Sequence, residues 1–114
     1  MTPDDWALMR ACAVEVLAAA RPWWPDANEY YRSQLANPFI VLSETMARQD
    51  ARKDPTPRPP HRMGQQDLMW ACYRAAEAIR INVHPYDERG AALWQAGARL
   101  AYITAGIKAD VLAK

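Results

Sequence analysis

The sequence predicts an all-α protein: a compact bundle of four to five helices, arranged as two helical hairpins joined by a proline-rich linker. Three observations predict it. Alanine is abundant, while only four of the 114 residues are glycine, and these are the best and nearly the worst helix formers. Apolar residues recur three and four apart through four separate stretches, the period of a helix with one buried face. The longest interruption, residues 54–63 (DPTPRPPHRM), holds four of the nine prolines and can be neither helix interior nor central strand. It divides a single domain into a first hairpin at 2–53 and a second at 64–114.

The first helix opens on Thr2-Pro3-Asp4-Asp5. Thr2 can cap, Pro3 suits the first helical position, and the two acids complement the positive end of the helix dipole. Trp6, Met9, Ala13, Val16, Leu17 and Ala20 form its stripe. Residues 11–20 are apolar except for Glu15, so this helix reads as buried on more than one side. Pro22 is expected to end it, leaving Arg21-Pro22-Trp23-Trp24-Pro25-Asp26 as a stiff connector.

Residues 27–54 are helical again. Tyr31, Leu35, Pro38, Leu42 and Met46 keep helical phase, yet Asn37 is a good cap directly before a proline in a first-turn position. The preferred reading is a short helix over 28–36 followed by a longer one over 38–52, with a single kinked helix as the alternative. The linker that follows is extended; ten residues of polyproline II reach ~31 Å. A ~20-residue helix is ~30 Å long, so either relative orientation of the hairpins is open.

The clearest element is residues 65–83 (QQDLMWACYRAAEAIRINV). Leu68, Cys72, Ala75, Ala76, Ile79 and Val83 share one helical face, and Arg74, Glu77 and Arg80 the other. Trp70 and Tyr73 lie off the stripe. Asn82 to Asp87 breaks the chain at His84-Pro85, and a last helix runs over about 87–112. Leu93, Ala96, Leu100, Ile103 and Ile107 alternate three and four apart, a seam for near-antiparallel packing. The small residues Ala92, Gly97, Ala98, Ala101, Ala105 and Gly106 let a neighbour approach closely. Leu8-Met9-Arg10-Ala11-Cys12 matches Leu68-Met69-Trp70-Ala71-Cys72 at four of five positions, a hint that the hairpins are related.

Composition excludes more than it identifies. A formal charge of +1 gives no whole-chain case for nucleic acid or an anionic membrane. The first ten residues carry acids where a secretory signal carries bases, and no apolar run reaches the ~18 to 20 residues of a membrane span. Cys12 and Cys72 make no disulfide framework. A reduced, cytoplasmic setting is expected.

Catalytic groups are sparse. His84, Asp87 and Glu88 cluster at the break before the last helix and could form an acid–base pair or hold a metal. Their spacing matches no metal motif, and an acid here is what a helix start requires. Cys12 and Cys72 read as core. No phosphate loop, zinc spacing or serine–histidine–acid arrangement is visible, so no enzyme activity, metal or other cofactor is expected.

Binding surfaces are better represented. Trp6 and Trp94 read as core, but Trp23, Trp24, Tyr30 and Tyr31 crowd one end of the first hairpin, and Tyr86 sits at the corresponding turn of the second. Such aromatics dominate protein interfaces. Arg48, Arg52, Lys53, Arg58 and Arg62 against Asp50 and Asp54 give a local charge of +3. Pro57 to Arg62 also fits a pattern that grooves recognise in polyproline II. The expected function is a small non-enzymatic interaction module, a stoichiometric inhibitor or accessory factor of the kind short phage and bacterial genes encode. Its contacts would be Trp23, Trp24, Tyr30, Tyr31, Arg52, Lys53, Arg58 and Arg62, and its partner a larger protein or a second copy of itself. The alternatives are nucleic-acid binding through the basic loop and a small hydrolase or metal enzyme around His84.

Overall fold

The computed structural model describes residues 3–51 and 62–112. They form four long α-helices: α1 (Pro3–Trp23), α2 (Glu29–Ala51), α3 (Arg62–Asn82) and α4 (Glu88–Leu112). A single 3₁₀ turn, Trp24–Asp26, follows α1. No strand occurs among the described residues, and the fold is an all-α bundle.

The apolar stripes are the core. Met9, Ala13, Val16 and Ala20 of α1, Leu35, Leu42 and Met46 of α2, and Leu68, Cys72, Ala75, Ala76 and Ile79 of α3 with Val83 just beyond it are buried. Leu93, Ala96, Leu100 and Ile107 complete the core from α4, with Trp6, Leu17 and Ile103 packed at its margin. Thr45 and Thr104 are buried as well, and each hydroxyl donates to the carbonyl four residues back, Val41 at 2.7 Å and Leu100 at 2.8 Å. Burial therefore leaves neither hydroxyl unpaired.

Several expectations need correction. Pro22 does not stop α1, which runs on to Trp23. Pro22 removes one backbone bond and crowds the carbonyl of Ala18, and the helix ends one residue later. Pro38 lies inside an unbroken α2, so Asn37 caps nothing. The buried Leu35, Phe39, Leu42 and Met46 demand one continuous face, and their packing outweighs the local cost of the proline. Arg62 already belongs to α3, three residues before the helix expected over 65–83. Trp94 is 37 % exposed rather than core. Lys108 reaches across to α3, its ammonium 4.4 Å from the Tyr73 ring and 5.1 Å from the Trp70 ring. Those two off-stripe aromatics thus hold a cation–π contact. Thr2 and residues 52–61 lie outside the described residues.

Neighbouring helices run antiparallel. Tyr31 at the start of α2 meets His84 just beyond α3, and Arg89 at the start of α4 meets Pro22 at the end of α1. Both interhelical turns therefore lie at one end of the bundle, and the linker joins helix termini at the other.

The helices follow one another in space as α1, α4, α3, α2. Each adjacent pair is packed, but α1 and α2 touch little despite being consecutive in sequence. The difference between the α3–α4 and α1–α2 pairs has a local cause. Between α3 and α4, Gly97 lets the backbones close until a Cβ there would stand 2.7 Å from Ile79 Cγ2. Between α1 and α2 the side chains of Trp24 and Phe39 pack together instead, ring centroids 6.1 Å apart. Two such rings keep backbones further apart than a glycine facing an isoleucine. The molecule is accordingly thin in one direction, 40 × 29 × 19 Å.

Candidate functional site

The turn end of the bundle gathers the aromatic residues. Asn28 caps α2, its Oδ1 accepting the Tyr30 amide at 2.8 Å, and Ser33 Oγ donates to the Tyr30 carbonyl at 2.6 Å. These two bonds fix the first turn and hold Tyr30 and Tyr31 side by side, with centroids 5.4 Å apart at 80°. Tyr31 meets His84 edge to face at 5.3 Å and 83°, and His84 stacks on Tyr86 at 5.4 Å and 21°. Four rings from two turns thus form one chain of contacts. Tyr86 is 90 % exposed and Tyr30 63 %, with Tyr31 half-buried beneath them.

The loop that carries His84 and Tyr86 is held from below. Asp87 caps α4, its Oδ1 accepting the Gly90 amide at 2.6 Å while its carbonyl accepts the Ala91 amide at 2.9 Å. A Cβ on Gly90 would stand 2.5 Å from the His84 carbonyl oxygen, so only glycine lets the loop lie this close on the helix. Arg89 donates to the Asp26 carboxylate and to the Pro22 carbonyl at 3.3 Å. That tie fastens the start of α4 to the first turn.

The other sequence-derived candidates fall in different places. Trp23 is 9 % exposed and belongs to the core; it packs edge-on against the half-buried Trp24 at 6.2 Å. Trp24 in turn lines an open groove between α1 and α2 of about 480 Å³, with Leu17, Ala20, Ala36, Phe39 and Ile40. Arg52, Lys53 and Arg58 lie outside the described residues, and Arg62 opens α3. The helix ends that carry the basic loop are separated from Tyr30 by the length of α2, about 30 Å at 1.5 Å per residue. The aromatic end and the attachment of the basic loop are therefore two places and not one patch.

Of the residues named for the catalytic alternative, His84 belongs to the ring cluster. Asp87 is occupied by capping, and among the described residues no three His, Cys, Asp or Glu side chains gather as a metal site requires. Cys12 and Cys72 are both buried free thiols. Burial pushes the Cys72 thiol up to about 12, with Cys12 adding to the rise. Cys12 is raised too, by burial first and Glu15 second, against a lowering by Arg99. Both are held as neutral thiols, the unreactive form.

A second cleft, between α2 and α3, has a volume of about 490 Å³ and carries Arg48, Arg74, Asp67 and Trp70 on its walls. Neither this cleft nor the pairing of Tyr31 with His84 is visible in sequence, because both depend on α2 lying antiparallel against α3. Among the described residues no helix is long and apolar enough to cross a membrane. Compared with protein-family models, curated proteins and solved structures, the chain matches none of them.

Proposed function

We propose that the chain is a small non-enzymatic interaction module, a stoichiometric inhibitor or accessory factor that binds a larger protein in a reduced, cytoplasmic setting. The observation that carries this reading is the ring cluster Tyr30–Tyr31–His84–Tyr86, two of whose members are mostly in water. Exposed tyrosines held by neighbouring rings lose little entropy on binding and supply both apolar area and a hydroxyl. The basic loop at the opposite end would make a second contact with the partner. Affinity capture from host lysate with the wild-type chain and a Tyr30→Ala, Tyr86→Ala variant tests it. One dominant protein should survive nuclease and moderate salt with the wild type and be lost with the variant. Equal recovery with both would overturn the assignment of the aromatic end.

A second reading is binding of single-stranded nucleic acid, favoured by the cleft of Arg48, Arg74 and Trp70. Two guanidinium groups beside an indole suit phosphate and a stacked base, and the cleft adjoins the end of the bundle at which α2 ends and α3 begins. Here recovery would vanish with nuclease, and affinity would fall steeply with salt.

A further inference from the structure

The outer face of α1 carries an inference independent of the aromatic end. Residues 11–20 are apolar apart from Glu15, yet only one side of this helix is covered. Leu8 is 49 % exposed and Val14 50 %. The uncovered face reads Asp4, Ala7, Ala11, Val14, Ala18 and Arg21, all six exposed. Their spacings are three, four, three, four and three, the heptad seam of two helices crossing at a small angle. The face is apolar between its two ends, acidic at one and basic at the other.

The charges on α1 select the occupant. Arg10 pairs with Asp50 at 2.6 Å and Glu15 with Arg99 at 3.1 Å. The side chains of Asp4 and Arg21 have no hydrogen-bond or ion-pair partner among the described residues. They terminate the apolar face, and the face is its own complement when reversed. Laid antiparallel on a second copy, Asp4 meets Arg21, Ala7 meets Ala18 and Ala11 meets Val14, each pair symmetric about the midpoint between residues 12 and 13. A parallel pairing would set Asp4 against Asp4 and Arg21 against Arg21. Small side chains at the centre allow the close approach that such a seam needs. Ile40, 54 % exposed across the neighbouring groove, extends the apolar surface beyond α1.

We infer that the chain forms a twofold homodimer through antiparallel pairing of α1 with the α1 of a second copy, with two Asp4–Arg21 ion pairs closing its ends. Sedimentation of the 114-residue chain tests this. The wild type should sediment with twice the 12.9 kDa chain mass. Val14→Glu places two acids beside the twofold axis and should leave a monomer of unchanged helical content. Arg21→Glu sets acid against acid at both ends and should weaken association about tenfold; Asp4→Arg should do the same with bases. The combined Asp4→Arg, Arg21→Glu protein restores the pairing with its polarity reversed, and should recover dimerisation to within about threefold of the wild type. A wild type that stays monomeric at ~100 μM would overturn the inference, since the specific contacts of a stable interface hold well below that concentration. So would a Val14→Glu dimer, or a combined variant as weak as the two single changes added together.

Discussion

Gly90 and Gly106 sit in the same helix, yet they should respond oppositely to the same change. At Gly90 an added methyl meets the carbonyl oxygen of His84, which is backbone and cannot swing aside. Gly90→Ala should therefore cost about 1–3 kcal/mol by overpacking, and it should displace the loop that presents His84 and Tyr86. At Gly106 nothing lies within 4 Å of the added carbon. Gly106→Ala should stabilise by about 0.5–1 kcal/mol through helix propensity alone. Urea unfolding of both variants measures the two signs, and a Gly90→Ala protein as stable as the wild type would remove the loop's dependence on that glycine. Cys72 gives a third expectation at this scale. Its thiol rises from an ordinary 9.0 to about 12 in the folded chain, so the unfolded chain gives up the proton first. The thiol's contribution is complete below pH 9 and declines as pH rises from there toward 12. Over that window the loss is about 1.4 kcal/mol per pH unit for one proton. Cys72→Ala should flatten the alkaline fall in stability relative to the wild type, while lowering stability near neutrality by about 1 kcal/mol through lost packing. Parallel curves for the two proteins between pH 9 and pH 11 would contradict the buried-thiol account.

Helix α2 shows where element-level reading succeeds and where local rules mislead. Leu35, Leu42 and Met46 were legible as one face because their spacing reports which side is buried, whatever the backbone does between them. The Asn37-Pro38 pair argued for a break, since each residue alone is a good helix start. Local propensity favours that break, but the continuous apolar face beside it carries more energy than one missing backbone bond. The two readings separate by mutation. If Pro38 occupied a first turn, Pro38→Ala would change little and Asn37→Ala would cost about 1 kcal/mol as a lost cap. In one continuous helix the reverse holds. Pro38→Ala restores the bond to the carbonyl of Gln34 and should stabilise by up to about 3 kcal/mol, while Asn37→Ala should be neutral or slightly stabilising. Thermal unfolding of the two single variants distinguishes them. The same logic explains Trp94: a bulky aromatic next to the α4 seam reads as core, but the seam residues Leu93, Ala96 and Leu100 already fill it, and the indole is left at the surface. The candidate site was only half legible. Tyr30, Tyr31 and Tyr86 could be assigned to turns from the prolines and caps around them. That His84 would lie against Tyr31 depended on the relative orientation of the two hairpins, and a ten-residue linker leaves that orientation open.

At the scale of the whole molecule, the order α1, α4, α3, α2 makes the helices unequal. α3 and α4 each have a packed neighbour on both sides, whereas α1 and α2 each have one, and the seam between them stays open. Surface ties partly compensate. Arg10–Asp50 spans the two outer helices, and Arg89 ties α4 to the turn between them. Such exposed pairs contribute about 0–1 kcal/mol apiece, less than a packed helix face. Opening should therefore proceed from the outer helices inward. Native-state hydrogen exchange of the monomeric Val14→Glu protein should find the slowest amides in α3 and α4, exchanging only through global unfolding. Those of α1 and α2 should exchange through smaller openings at lower free energy. The wild type at concentrations favouring the dimer adds a second comparison. Antiparallel pairing covers the outer face of α1 and leaves α2 largely as it was, so protection should rise along α1 and much less along α2. Uniform protection across all four helices in the monomer would mean that the open seam carries no energetic weight, and that the bundle unfolds as a single unit despite its uneven packing.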